Sequence, residues 1–140
     1  MVQKTIATIT DSEGSPFAVT IDVSGHRLVG DEPSERGGAN LGPAPFDLLA
    51  AALGECTAMT IRWYAAKNAW PLEHVRVEVQ HNKKIQAGSG AIVDAFSLAM
   101  SLTGERLSAE QRQKLFAIAE ECPVHKALTG NVTIAMHPQD

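Results

Sequence analysis

The chain has 140 residues, 44% of them apolar and 20% charged, which suits one domain with its own core and excludes a disordered chain. A formal net charge of −4, with no clustered stripe of Lys and Arg, excludes nucleic acid as the main partner, because phosphate binding rests on such clusters. No apolar run approaches the roughly 20 residues that span a bilayer, and Met1-Val2-Gln3-Lys4-Thr5 lacks the apolar stretch of a secretory signal. A cytoplasmic protein with no membrane partner is expected.

No repeat, low-complexity tract or linker interrupts the chain, so a single domain over residues 1–140 is expected. Phe17, Val19, Ile21 and Val23 alternate with Ala18, Thr20 and Asp22, the period of a strand with one face on a core. The turn cluster 11–16 before it pairs that strand with Lys4–Thr10 as a hairpin, and His26–Gly30 adds a third short strand. Residues 31–45 form a Gly- and Pro-rich loop. Pro45 suits the first turn of a helix, whose N–H groups lack partners anyway, and a long helix is expected from there to about Asn68.

On that helix Leu49, Leu53, Cys56, Thr60 and Trp63 form one stripe, yet the opposite side, with Leu48, Ala51, Ala52, Met59 and Ile61, is also apolar. A helix apolar nearly all round must be covered nearly all round. One short sheet covers one side, and a second copy of the chain is expected to cover the rest: a homodimer with this helix central to it.

Period two returns at Val75, Val77 and Val79 and at Phe96, Leu98, Met100 and Leu102, two antiparallel strands separated by the polar run 82–90. Ser108-Ala109-Glu110-Gln111 is a capping-box signature for a second helix with the stripe Leu115, Ile118, Ala119 and Cys122. Pro123 ends it, a short helix runs through Leu128, and a last strand is expected over Val132–Met136. The order β-β-β-α-β-β-α-α-β is an α+β domain with mainly antiparallel pairing.

Two cysteines in a reducing compartment pack in the core, bind metal or perform redox chemistry. Cys56 lies on the apolar stripe about ten residues into the helix, too deep for the helix dipole to activate it. Cys122 precedes Pro123, where free N–H groups of the following helix favour a thiolate, while Glu120 and Glu121 oppose it. Cys122-Pro123-Val124-His125 has the form of half a zinc site, with Cys56 as a third ligand, but no second local pair accompanies it. His26, His74, His81 and His137 are scattered and read as surface residues.

Two blocks carry more than composition does. The first is Gly37-Gly38-x-Asn40-x-Gly42-Pro43-x-Pro45, continuing through Asp47-Leu48-Leu49 to Leu53-Gly54-Glu55-Cys56-Thr57-Ala58-Met59-Thr60. The second is Leu107-Ser108-x-Glu110-Gln111-Arg112, then Ile118-Ala119-x-x-Cys122-Pro123-Val124-His125. In order and spacing they resemble the OsmC/Ohr family over nearly the whole chain, closest to its shorter OsmC-like branch. The resemblance implies an intertwined homodimer, a long central helix carrying the first cysteine, and active sites at the subunit interface. It implies that Cys56 is peroxidatic and Cys122 resolving, that organic hydroperoxides are the substrates, and that no metal, flavin or haem is needed. An external dithiol, such as a lipoylated protein, would reduce the disulfide.

The family's peroxidases activate the first cysteine with an early Arg held by a Glu ten residues before that cysteine. Here that position is Phe46, the nearest carboxylate is Asp47, and the turn 11–16 holds no Arg. Arg27 and Arg36 remain as candidate cations, with Arg62 on the helix itself; Arg36 and Asp47 are the candidate activating pair. The competing readings are a dimeric protein that binds a small apolar ligand between inert cysteines, and a thiol-redox protein acting on something other than peroxide.

Overall fold

The structure, a computed structural model, describes residues 4–139 in two units, residues 1–49 and 50–140. The first is a three-stranded antiparallel meander of β1 (Ala7–Asp11), β2 (Val19–Val23) and β3 (His26–Gly30), in the order β1-β2-β3. Val23 pairs with His26 across Ser24 and Gly25, both at positive φ (50° and 81°), the left-handed pair that matches the twist of a tight hairpin. The first strand begins later than the expected Lys4. The apolar alternation of β2 does make one face, but an open one. Ile9, Phe17, Val19 and Ile21 line a cavity of about 450 Å³, and Phe17 remains half exposed.

The loop after β3 is organised by one carboxylate. Asp31, 3% exposed, accepts from the Ser15 hydroxyl (2.8 Å) and from the backbone N–H of Glu32 (2.8 Å), Ala39 (3.0 Å) and Leu41 (3.2 Å). A short 3₁₀ turn, Ser34–Arg36, lies inside the loop. A Cβ at Gly38 would stand 2.0 Å from the Glu32 carbonyl oxygen, and one at Gly42 2.0 Å from that of Val29. The glycines of this motif are therefore demanded by close backbone approach.

Burial alone would raise the Asp31 pKa; the Ser15 hydroxyl and the N–H groups of Leu41, Ala39 and Glu32 outweigh it and hold the carboxyl below its ordinary value. A depressed carboxylate stabilises the fold above its unfolded value of about 3.9, and that contribution is lost as pH falls through the folded value. Asp31→Asn is therefore expected to be less resistant to urea than the wild type at neutral pH, with the gap shrinking below about pH 4. Equal midpoints at neutral pH would show that the carboxylate does not hold the loop.

Helix α1 (Pro45–Lys67) crosses from one unit into the other. Pro45 opens it, and the Asp47 carboxylate accepts from the Ala44 N–H at 2.9 Å, satisfying one donor at the helix start. In the second unit its buried side chains are Leu53, Thr57, Ile61 and Ala65, one turn apart. The expected stripe is thus rotated: Leu53 belongs to it, Cys56 and Thr60 are half-buried, and Trp63 and Met59 are each 61% exposed. With apolar residues on every side, periodicity alone could not say which side the core takes. Gly54 lets β4 approach, since a Cβ there would lie 3.0 Å from Val79 Cγ2.

Strands β4 (His74–Ile85) and β5 (Ile92–Thr103) form an antiparallel ribbon in register from His74↔Thr103 to Ile85↔Ile92. The ribbon extends beyond the two apolar runs, into the segment expected to be a polar connection. Its outer half is pinned by charge: the Asp94 carboxylate meets Lys83 Nζ and His81 Nε2, each at 2.8 Å. Helix α2 (Ala109–Ile118) starts with the complete capping box, the Ser108 hydroxyl accepting from the Gln111 N–H (3.1 Å) and the Gln111 amide from the Ser108 N–H (3.0 Å). A 3₁₀ turn, Ala119–Glu121, and then α3 (Pro123–Thr129) follow, with Cys122 between them. Ile61, Ala65, Leu102, Leu107, Leu115 and Ala119 make the core of this unit.

The last expected strand is not formed. Residues 131–139 have no regular structure, and Val132, Ile134 and Met136 are 62%, 86% and 90% exposed. A strand exists only against a partner edge, and none pairs with this segment. The architecture is α+β with antiparallel sheets, ordered β-β-β-α-β-β-α-α among the described residues. No helix among them is long and apolar enough to cross a membrane.

Candidate functional site

Cys56 is carried on α1 one residue before the buried Thr57, so its thiol faces away from the centre of the core and is half-buried. Cys122 is brought to it by α2. The buried Leu115 and Ala119 anchor that helix and its 3₁₀ extension, and the chain then turns at Cys122 to begin α3. Cys122 is fully buried, and both cysteines are free thiols. The two thiols are close enough for each to shift the ionisation of the other. The stripe that put Cys122 on the core side of the second helix thus holds.

The two thiols differ in what surrounds them. Cys122 caps α3, its Sγ accepting from the His125 N–H at 3.5 Å. Burial pushes the Cys122 thiol up, but the Cys56 thiol and the His125 N–H outweigh it, and the net shift is downward. Cys56 is pushed up by burial and by Cys122 beside it, against weaker help from the Val124 N–H. Glu121, expected to oppose a thiolate at Cys122, is paired with Lys126 at 2.6 Å.

Only Cys56 opens outward. It lines a cavity of about 630 Å³ together with Met59, Thr60, Trp63, Ile118 and Val124. The wall is mostly apolar, with Glu55 and Glu121 as its carboxylates. A dithiol with one sulfur facing an apolar cavity and the other enclosed behind it can form a disulfide in place, and can react first only through the open sulfur.

The other candidate residues have partners of their own. Arg36 and Asp47 take separate partners: the Arg36 guanidinium stands 3.8 Å from the Glu32 carboxylate, and Asp47 serves the start of α1. The reason is local, because Glu32 lies four residues before Arg36 at the other end of the 3₁₀ turn, whereas Asp47 sits where a helix start needs an acceptor. Arg27 pairs with Asp22 at 2.8 Å. Arg62 donates to the backbone carbonyls of Leu72 (3.3 Å) and Glu73 (3.1 Å). Among the described residues no group of three or more His, Cys, Asp or Glu is gathered to hold a metal ion.

Two contributors were not read from the sequence. The Glu32–Arg36 spacing was a usable signal. The Val124 N–H was not, since its value depends on the meeting of α1 with α3.

The family model described as OsmC-like protein matches residues 37–137. An organic hydroperoxide resistance protein OsmC from Legionella pneumophila, described as a predicted redox protein, shares 25% identity, with a TM-score of 0.68, covering 94% of this chain and 93% of that one. An OsmC-like protein from Mycoplasma pneumoniae has a TM-score of 0.73 at 17% identity, covering 93% and 90%. A putative organic hydroperoxide resistance protein from Vibrio cholerae, with captopril bound in one of its active sites, has a TM-score of 0.63 at 24% identity, covering 94% and 89%. No curated protein matches the sequence.

Proposed function

Because the chain belongs to the OsmC-like protein family, we propose that it is a thiol peroxidase that reduces organic hydroperoxides through Cys56 and Cys122, as one cytoplasmic domain spanning residues 1–140. One observation carries the reading: two free thiols in reach of each other, with only Cys56 on an apolar cavity. Cys56 sulfur attacks the O–O bond, which breaks to leave an alcohol and a Cys56 sulfenic acid. Cys122 condenses with that acid, releasing water and forming the disulfide. An external dithiol such as a lipoylated protein restores both thiols by exchange and is itself oxidised. The apolar wall favours alkyl or lipid hydroperoxides over charged oxidants.

The test is one turnover of the reduced protein with cumene hydroperoxide, read by intact mass. Loss of two hydrogens supports the reading; thiols that survive unchanged sink it and leave the cavity as a binding site for a small apolar ligand.

The functional unit is a homodimer. Met59 and Trp63 on α1, the open face of β2 and the strand-like alternation at Val132, Ile134 and Met136 all leave apolar surface uncovered in one chain. Light scattering is expected to give twice the chain mass, and Trp63→Glu to shift the protein toward monomer. A wild-type monomer at micromolar concentration would overturn the dimer.

A further inference from the structure

The cavity in front of Cys56 carries its charge unevenly. Helix α1 lays two rows of side chains along the wall, Ala52, Cys56 and Thr60 in one and Glu55 and Met59 in the other, each row stepping by one turn. Thr57, the residue after Cys56, is buried in the core, so Glu55 stands on the solvent side of the sulfur and is exposed. The lining side chains include no Lys, Arg or His, and the two carboxylates among them are not equivalent. Glu121 is met by Lys126 Nζ at 2.6 Å. Among the described residues the Glu55 carboxylate has no hydrogen-bond or ion-pair partner. Two further lysines stand over rings of the wall without lining it: Lys67 is 5.0 Å from the centre of the Trp63 ring, and Lys114 is 5.9 Å from that of Tyr64. A molecule entering the cavity therefore meets apolar surface and one unbalanced negative charge, next along the helix from the reacting sulfur.

We propose that Glu55 is a specificity-determining residue, through which the Cys56 cavity selects uncharged hydroperoxides and turns away those that carry a carboxylate near the peroxide group. The apolar wall already costs a carboxylate part of its hydration. Glu55 adds a repulsion that a neutral molecule of the same shape does not feel, and an unpaired like charge is an effective way to reject one of two similar ligands. Like charges a few ångströms apart in a partly wet cavity change a rate by about fivefold to tenfold. Alkyl hydroperoxides and esterified lipid hydroperoxides pass this filter; compact hydroperoxy acids do not.

The second copy proposed above would lie against Met59 and Trp63 and roof the same cavity, so the effect is read by difference, in variants that change one carboxylate at a time. Glutamine keeps the size and helix preference of Glu, and the exposed Glu55 carboxylate holds nothing in place, so Glu55→Gln leaves the fold intact. Glu120 supplies the control. It lies in the 3₁₀ turn beside Glu121 and does not line the cavity.

The inference rests on the peroxidase reading, and the experiment separates the two. Cumene hydroperoxide and its para-carboxylate share the same ring and peroxide group and differ by a charge. Each is reacted at neutral pH with reduced wild type, Glu55→Gln and Glu120→Gln, and oxidation is timed by quenching and intact mass. The quantity read is the ratio of the neutral rate to the anionic rate; a change in the ionisation of Cys56 alters both rates alike and drops out. The wild-type ratio is expected to be about tenfold or more, and to fall by about fivefold in Glu55→Gln while Glu120→Gln keeps it. Added salt should raise the anionic rate in the wild type more than in Glu55→Gln, because screening acts on exposed charges. A wild-type ratio of about one, a Glu55→Gln ratio within about twofold of the wild type, or an equal fall in Glu120→Gln overturns the inference. If neither compound oxidises the wild type, the peroxidase reading fails by itself. Iodoacetamide and iodoacetate then supply the neutral and anionic pair at Cys56, with 2-mercaptoethanol as the reference thiol. A wild-type preference for iodoacetamide beyond that of the reference, lost in Glu55→Gln, supports charge selection without peroxide chemistry; a preference equal to the reference overturns it.

Discussion

Cys56→Ser is expected to bring hydroperoxide turnover down to the uncatalysed background, while Cys122→Ser is expected to lose turnover yet still consume oxidant. The asymmetry follows from exposure. Cys56 lines the cavity and Cys122 is fully enclosed, so a hydroperoxide entering the cavity reaches one sulfur and not the other. With Cys56 replaced, the remaining thiol is shielded and the protein stays at its reduced mass. With Cys122 replaced, nothing condenses with the sulfenic acid, and excess peroxide carries Cys56 on to sulfinic and sulfonic acids. Intact mass therefore separates the variants: no change for the first, and added oxygens without loss of two hydrogens for the second. A Cys56→Ser protein that still consumes peroxide catalytically, or a Cys122→Ser protein that cycles with an external dithiol at the wild-type rate, would remove the pair as the working unit.

Leu115→Ala is expected to destabilise the protein by about 3 kcal/mol, the usual cost of deleting a fully buried Leu and leaving a partly relaxed cavity. Leu115 is 0% exposed and stands in the cluster of Ile61, Ala65, Leu102, Leu107 and Ala119, so α1, β5 and α2 all lose contacts together. Against total stabilities of about 5–15 kcal/mol that loss is large, and urea denaturation should show a lower midpoint with an unchanged slope. Leu115→Met, which keeps the volume, should cost less than about 1.5 kcal/mol. The same cavity bears on the chemistry, because Leu115 and Ala119 are the anchors that deliver Cys122 to Cys56. Disulfide closure after oxidation should slow in Leu115→Ala even under conditions where the protein remains folded. A variant with wild-type stability and closure would mean that α2 is not what sets the position of Cys122.

Two positions show how far legibility went in the site. The cysteines were legible because their surroundings are local: a Pro after Cys122, an apolar stripe on the helix leading to it, and the motif blocks around both. The setting of Cys56 was less so. Leu53 and Cys56 were read onto one stripe, but the core takes Leu53, Thr57, Ile61 and Ala65 and leaves Cys56 at its edge, facing the cavity. The Arg36–Asp47 pair rested on nearness in sequence, and each residue found a nearer partner in Glu32 and the Ala44 N–H.

By itself the sequence determined what depends on neighbours along the chain. The hairpin turn at Ser24 and Gly25, the glycines of the loop, the capping box at Ser108 and the stripe from Leu115 to Cys122 all stand in the structure, because propensity, turn geometry and period are local properties. The tertiary structure alone decided what depends on residues distant in sequence. It chose the buried side of a helix that is apolar all round. It carried β4 and β5 past their apolar runs, where the Lys83–Asp94 and His81–Asp94 pairs take over. It also left Val132–Met136 without an edge to pair with, and it set the His125 N–H of α3 against the Cys122 sulfur. Burial and proton sharing are set by what meets in space, and no spacing along one strand or helix encodes that meeting.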